Sequence, residues 1–179
     1  MLLIVRVLVL PRAAGDQGSM GDLQEFSPTV RAFLRVYRWR RVEPVPWAPL
    51  RKRLQDCRVA LVSSAGFVEP HQAPFDGKVK GGDPSVRQIS GAVDVATLID
   101  THRSDTFDHT GVRRDPNLAF PLDRLRELEA SRRIGSVNSR HLSFMGSITA
   151  PGRFLRDTVP SAAALFQEDE VDVALLVPV

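Results

Sequence analysis

The chain has 179 residues, 43% of them hydrophobic and 25% charged, with a net charge of +3 and a pI near 9.6. That is ordinary for a soluble globular protein and long enough for one domain with a real core. The single cysteine, Cys57, excludes a disulfide framework and a zinc site and suits a reducing, cytoplasmic compartment, and no apolar run approaches the ~20 residues of a membrane span.

The opening run MLLIVRVLVL is interrupted by Arg6 and followed by PRAAGDQGS. It lacks the charged start and clear cleavage site of a signal peptide. Residues 1–19 therefore read as a disordered extension or a misassigned start, and residues 20–179 as a single α/β domain. From Leu23 to Val36 the apolar residues Leu23, Phe26, Val30, Phe33 and Leu34, with Tyr37 just beyond, recur near helical spacing. The stretch Arg35 to Arg53 is densely basic with interleaved aromatics, as in single-strand binders. Arginine elsewhere is spread along the chain and mixed with acids, so the stretch reads as a solvated or interface stripe and no nucleic-acid partner is expected. Glu43 to Pro49 holds three prolines and reads as an extended linker.

RVALVSSAGF, Arg58 to Phe67, predicts the first strand and a Ser-Ser-Ala-Gly turn. Such a turn suits a small anion or polar substrate, but it is neither a dinucleotide fingerprint nor a P-loop. His71 to Pro84 reads as a surface loop, Val86 to Ser90 as a strand, and Asp94 to Ser104 as opening on a short helix or strand. Pro121 suits the first turn of a helix that lines up Leu122, Leu125 and Leu128. Ser143 to Ile148 predicts another strand, and Pro151 to Gln167 a helix that Pro160 kinks or splits. The final run VDVALLVPV, Val171 to Val179, predicts a strand that is apolar on both faces and so central or near-central. Strand and helix signals alternate. The expected fold is α/β, a mostly parallel sheet flanked by helices in Rossmann-like or flavodoxin-like layers, incomplete at the carboxyl terminus. In such sheets, ligands bind beyond the carboxyl ends of the strands.

Two polar clusters could carry chemistry. THRSDTFDHTG, Thr101 to Gly111, holds His102, Arg103, Asp105, Asp108 and His109. Histidine beside carboxylates can do general acid/base work or bind a metal; equally, the aspartates can cap a turn in a hydrogen-bonded loop. RHLSFMGSITAPGR, Arg140 to Arg153, holds His141, Ser143 and Ser147. A histidine beside apolar residues is commonly a satisfied core residue, but the Gly146–Thr149 segment could offer backbone N–H groups to a carboxylate. Cys57 precedes its strand and reads as a small buried hydrophobe.

In order along the chain, CRVALVSSAGF, GGDPSVRQI, HRSDTFDHTG, DPNLAFPLDRLRELE, RIGSV, RHLSFMGSITAPGR and DVALLVPV resemble the selenoprotein B family of glycine, sarcosine, betaine and D-proline reductases, and most closely its short bacterial relatives. The resemblance implies an oxidoreductase that cleaves a C–N bond of a small amino acid or betaine-type substrate reductively, with thiols as electron donor. It implies a selenocysteine, or a cysteine in relatives without selenium, just after a strand like VALLVPV. This sequence has neither at that place. The expectation is a chain cut at a selenocysteine codon, or a genuine truncation, and inactive alone. The resemblance also implies reductase subunits or a thioredoxin-like donor as partners. It places His102, His109 and His141 as catalytic candidates and Asp105, Asp108, Ser143 and Ser147 as substrate-binding candidates, without a cofactor or metal. The alternative is a non-catalytic interaction or scaffold protein that kept the fold.

Overall fold

The computed structural model describes residues 27–37, 48–104 and 109–179, together with Gln24, residues 43–45 and Phe107. The expected extension over residues 1–19, and Asp105 and Asp108 among the site candidates, lie outside the described residues. The chain divides into two compact units, one of which runs from Leu8 to Trp47 while the other contains Ala48–Val179.

In the first unit, α1 spans Pro28–Val36. It starts later than the spacing of Leu23 and Phe26 suggests, because Ser27 caps it, accepting from the Val30 N–H at 3.4 Å, and Pro28 fits its first turn. None of its residues is buried.

The second unit is built around β1 (Arg58–Ser63), buried on both faces as a strand within a parallel sheet must be. Two short strands serve one side of it. β5 (Ser136–Val137) pairs its first half and β6 (Arg140–Phe144) its second, both parallel to it. β3 (Val86–Ser90) then adds antiparallel to β6. On the other side β7 (Val173–Val177) runs parallel to β1, from Val59↔Val173 to Ser63↔Val177. β2 (Phe67–Val68) and β4 (Ile99–Asp100) form a separate antiparallel pair. The sheet is thus mixed but mostly parallel, as the alternating pattern predicts.

The expectation of a central last strand is corrected. Among the described residues β7 pairs with β1 alone, so it stands at the edge of the sheet and β1 holds the centre. β7 is apolar on both faces for a different reason. Its Val173, Leu175 and Val177 pack against the main core, while Ala174 joins Ala60, Leu142 and Phe166 on the opposite face, under α4 (Val159–Glu168).

The helices follow their sequence signals with shifts of register. α2 covers His109–Arg114, inside the polar cluster, and α3 covers Leu122–Ala130, burying Leu122 and Leu125 but leaving Leu128 largely outside. The long helix expected after Pro151 is continuous but changes its winding: a π-type stretch, Phe154–Thr158, runs directly into α4, and Pro160 lies just past it, in the first turn of α4. The strand expected at Ser143 begins at Arg140 instead, because Gly146 and Ser147 turn the chain out of the sheet.

The core is densest where Phe120, fully buried, meets Phe67 edge-on with ring centroids 6.3 Å apart. Phe120→Ala should lower stability by about 3–5 kcal/mol through the cavity it leaves. Leu128→Ala should shift it by no more than about 1 kcal/mol. Urea unfolding followed by circular dichroism measures both.

Candidate functional site at the carboxyl ends of the parallel strands

β1 and β7 end side by side, and the chain segments that leave them are tied together. The Ser64 N–H donates to the Val177 carbonyl at 3.1 Å, and the Val179 N–H donates to Ser64 Oγ at 2.9 Å. After β6, the Gly146 N–H donates to the Ser64 carbonyl at 2.8 Å. Two glycines let His102 come close. Gly66 has φ +68°, and a Cβ there would lie 3.3 Å from the His102 backbone; a Cβ on Gly146 would lie 3.0 Å from His102 Nε2. Beside this junction opens a cleft of about 410 Å³ lined by His102, Ser104, Phe107, Val112, Leu118, Ser147 and Val179. Ser147 adopts φ 58°, a left-handed conformation rare for a residue with a Cβ, and its carbonyl accepts from Arg103 at 3.4 Å.

His102 is nearly buried, and its ring lies on Phe107 with centroids 4.6 Å apart. Its Nδ1 accepts the Ser104 N–H at 3.2 Å, so the neutral ring carries its proton on Nε2. Nε2 is buried and has no hydrogen-bond partner among the described residues. Burial pushes the His102 pKa down, and the nearby His109 and Arg103 charges add to this against the opposing pull of Asp100.

His109 is the opposite case. Its Nδ1 lies 2.5 Å from Asp100 Oδ2 and its Nε2 lies 3.1 Å from the Ser104 carbonyl. With an acceptor at each nitrogen the ring is suited to be an imidazolium, and the Asp100 hydrogen bond raises its pKa. The Asp100 side chain is 4% exposed and also lies 3.5 Å from Arg113 Nε, while its Oδ1 accepts the His102 N–H at 3.0 Å. Sequence reasoning passed over Asp100. The available signal was its place within the DVATLIDTHRS segment, two residues before one histidine and nine before another.

His141 and Ser143 are not among the residues that line the cleft. Both are fully buried within β6. His141 Nδ1 accepts the Leu61 N–H at 3.0 Å, and its ring meets Phe120 edge-on at 6.2 Å. Ser143 Oγ and His141 Nε2 have no partner among the described residues. Burial pushes the His141 pKa down to about 4. Of the sequence candidates, the structure thus gathers His102 and Ser147 at the cleft, with His109 a ring away at 6.5 Å. Cys57 is buried at the other end of β1, and burial raises its thiol pKa. Among the described residues no group of three His, Cys, Asp or Glu side chains could hold a metal ion, and no helix is long and apolar enough to cross a membrane.

A mostly parallel α/β sheet with a histidine-lined cleft past its strand ends defines the class, and comparison with known proteins gives the family. The model of the glycine/sarcosine/betaine reductase selenoprotein B family matches residues 30–178, and the chain belongs to that family. It is 32% identical over 133 residues to the D-proline reductase subunit gamma of Acetoanaerobium sticklandii, covering 74% of this chain and 53% of that protein. It is 31% identical over 111 residues to the sarcosine reductase complex component B subunit beta of Peptoclostridium acidaminophilum, covering 60% of this chain and 25% of that protein. The chain therefore spans about half the length of the first relative and a quarter of the second. No solved structure matches it.

The buried histidine sets a pH dependence. The His141 pKa is about 4 in the folded protein against an ordinary 6.5, so between these values the unfolded chain binds the additional proton. Stability is full above pH 6.5 and falls as pH drops towards 4, by up to about 3 kcal/mol. His102, also lowered, acts in the same direction. His109, raised, contributes stability that is present below 6.5 and lost as pH rises through its folded pKa. His141→Gln should flatten the acid slope, as read from urea midpoints between pH 7 and pH 4.

Proposed function

We propose that this chain is a component of a reductase complex that cleaves the C–N bond of a small amino acid or betaine-type substrate, and that the cleft at the ends of β1 and β7 holds that substrate. Membership of the family and the relatives' names as reductase subunits support the reaction class. In such a reaction the C–N bond breaks, two thiols give two electrons and two protons and become a disulfide, one proton goes to the departing nitrogen and the other to the carbon it leaves. Cys57 does not fit the redox role, being buried at the far end of β1 with a raised pKa. A thiol or selenol from outside these 179 residues, or from a partner subunit or thioredoxin-like donor, would supply it.

The observation that carries the reading is the Nε2–H of His102 beside the cleft, which has no partner among the described residues. A buried donor without an acceptor is costly unless something else satisfies it. A substrate carboxylate would do so, with Ser147 and Ser104 beside it and Phe107 and Val112 on its apolar side. At neutral pH the empty site holds His102 neutral, a hydrogen-bond donor rather than an acid. A bound carboxylate would favour the imidazolium, with the second proton on Nδ1 and the hydrogen bond from the Ser104 N–H given up, and His102 would then have a proton to give to the departing amine. His109 is a positioning residue in this reading. With both nitrogens engaged, it fixes Asp100, which in turn holds the His102 backbone. Asp105 and Asp108 remain candidates for the amine end of the substrate, while the burial of His141 and Ser143 points to support of the sheet.

Calorimetric titration of the purified chain with glycine, sarcosine, betaine and proline tests the reading, in buffers of different ionisation enthalpy at pH 7.5. At least one should bind with uptake of a proton. His102→Gln should weaken that binding by about tenfold, equivalent to about 1.4 kcal/mol, and abolish the uptake. Asp100→Asn should lower the His109 pKa in histidine NMR titrations and weaken binding less. No binding by any of the four, or unchanged proton uptake in His102→Gln, would overturn the assignment and favour a scaffold that kept the fold.

A further inference from the structure

Arg103 stands between two residues that line the cleft, His102 and Ser104. Both neighbours have their N–H groups bound, His102 to Asp100 and Ser104 to the His102 ring, so the root of the Arg103 side chain is anchored. Among the described residues its head pairs with no carboxylate. It donates instead to two main-chain carbonyls, Nη1 to Gly77 at 2.9 Å and Nη2 to Ser147 at 3.4 Å. A guanidinium serves two separate acceptors from one planar fork, which a single ammonium or amide does not.

The two carbonyls belong to segments that pack on each other. Asp83 closes the base of the first, accepting from the Asp76 N–H at 2.8 Å and from the Ser85 N–H at 2.9 Å. The far part of this loop rests on the chain that follows Ser147. The Gly81 carbonyl accepts the Ala150 N–H at 3.0 Å, and a Cβ on Gly82 would lie 2.8 Å from Ile148 Cα. Ser147 lines the cleft with φ 58°, a conformation that costs a residue with a Cβ and persists only where its surroundings impose it. Its carbonyl has no other partner than Arg103 among the described residues.

We propose that Arg103 is a positioning residue for the cleft: its guanidinium clamps the Gly77–Gly82 loop to Ser147 and holds Ser147 in its left-handed conformation beside His102. The segment from His71 to Pro84, which the sequence presents as plain surface, thereby backs the cleft wall. The consequence for the substrate rests on the proposed function above. A carboxylate taken up between His102 and Ser147 loses one of its two sides when the clamp is released. The clamp itself does not depend on that reading.

The chain has three lysines, Lys52, Lys78 and Lys80, and two of them are exposed on the clamped loop. A lysine-specific protease therefore reads the loop, with Lys52 as internal control. In the full chain, Arg103→Ala should be cut at Lys78 and Lys80 roughly tenfold faster than the parent, as the loss of charge-assisted hydrogen bonds implies, with Lys52 unchanged. Guanidinium ion, far below concentrations that unfold proteins, should restore protection, and methylammonium should not. Should Arg103→Ala misfold, Arg103→Gln decides, since it keeps the stem and loses the fork; its loop should also be cut severalfold faster. For any of the four amino acids and betaines that the parent binds, Arg103→Ala should bind about tenfold more weakly, and guanidinium should recover the affinity. Failure of the parent to bind any of them sinks the substrate reading and leaves the clamp to the protease result. Equal cleavage of parent and variants at Lys78 and Lys80, or protection that guanidinium does not restore, overturns the clamp. Unchanged ligand affinity in a variant whose loop has been released overturns the positioning role.

Discussion

The constraint on which this molecule turns is that β1 is buried on both faces and flanked on both sides, so each of its backbone polar groups must find a partner without water. On one side β7 supplies an unbroken ladder. On the other the ladder is interrupted between β5 and β6, where Asn138 and Ser139 leave the strand path. The Asn138 N–H reaches the Val59 carbonyl, and the imidazole of His141 takes the Leu61 N–H that the break would orphan. A neutral histidine with its lone pair at Nδ1 suits that position and an imidazolium does not. The break lets β6 realign, so that its end arrives beside the ends of β1 and β7. There Ser64 serves as a common post for Val177, Val179 and Gly146.

That junction places two histidines in contrasting surroundings a short distance apart. Asp100 accounts for much of the difference. One carboxylate oxygen takes the backbone of His102 and the other the ring of His109. The ion pair keeps the charge on His109, while burial of His102, whose ring lies on Phe107, outweighs the pull of the same carboxylate on it. A carboxylate so placed separates the protonation states of two like side chains, which is how neighbouring groups come to have different chemical tasks. The burial of His102 beside Phe107 and Val112 makes a donor on its ring stronger than it would be in water.

Much of this was legible in the residues. The unbroken apolar run of β1 marks a strand covered on both faces, and the proline of α4 marks the π-type change of winding in the helix. The cluster from Thr101 to Gly111 points to the cleft, because dense polar residues after a strand rarely serve packing alone. What was not legible depends on long-range pairing. The rank of β7 in the sheet cannot be read from its composition, since an edge strand between a core and a helix is as apolar as a central one. The division of β5 from β6 leaves no local signal beyond Asn138. The tasks of His102 and His141 look alike in sequence, each a histidine beside apolar residues. They separate only because one is aimed at a strand's missing partner and the other at a cleft.

Cys57 offers a last consequence. Its sulfur is enclosed, donates towards the Arg53 carbonyl at 3.2 Å, and stays protonated well past neutrality. A thiol in that state reacts sluggishly with maleimides, disulfides and peroxides. The folded protein is therefore close to optically and chemically silent towards such reagents. A single cysteine introduced anywhere on its surface would report alone, and loss of that silence would mark the moment at which the amino end of β1 comes undone.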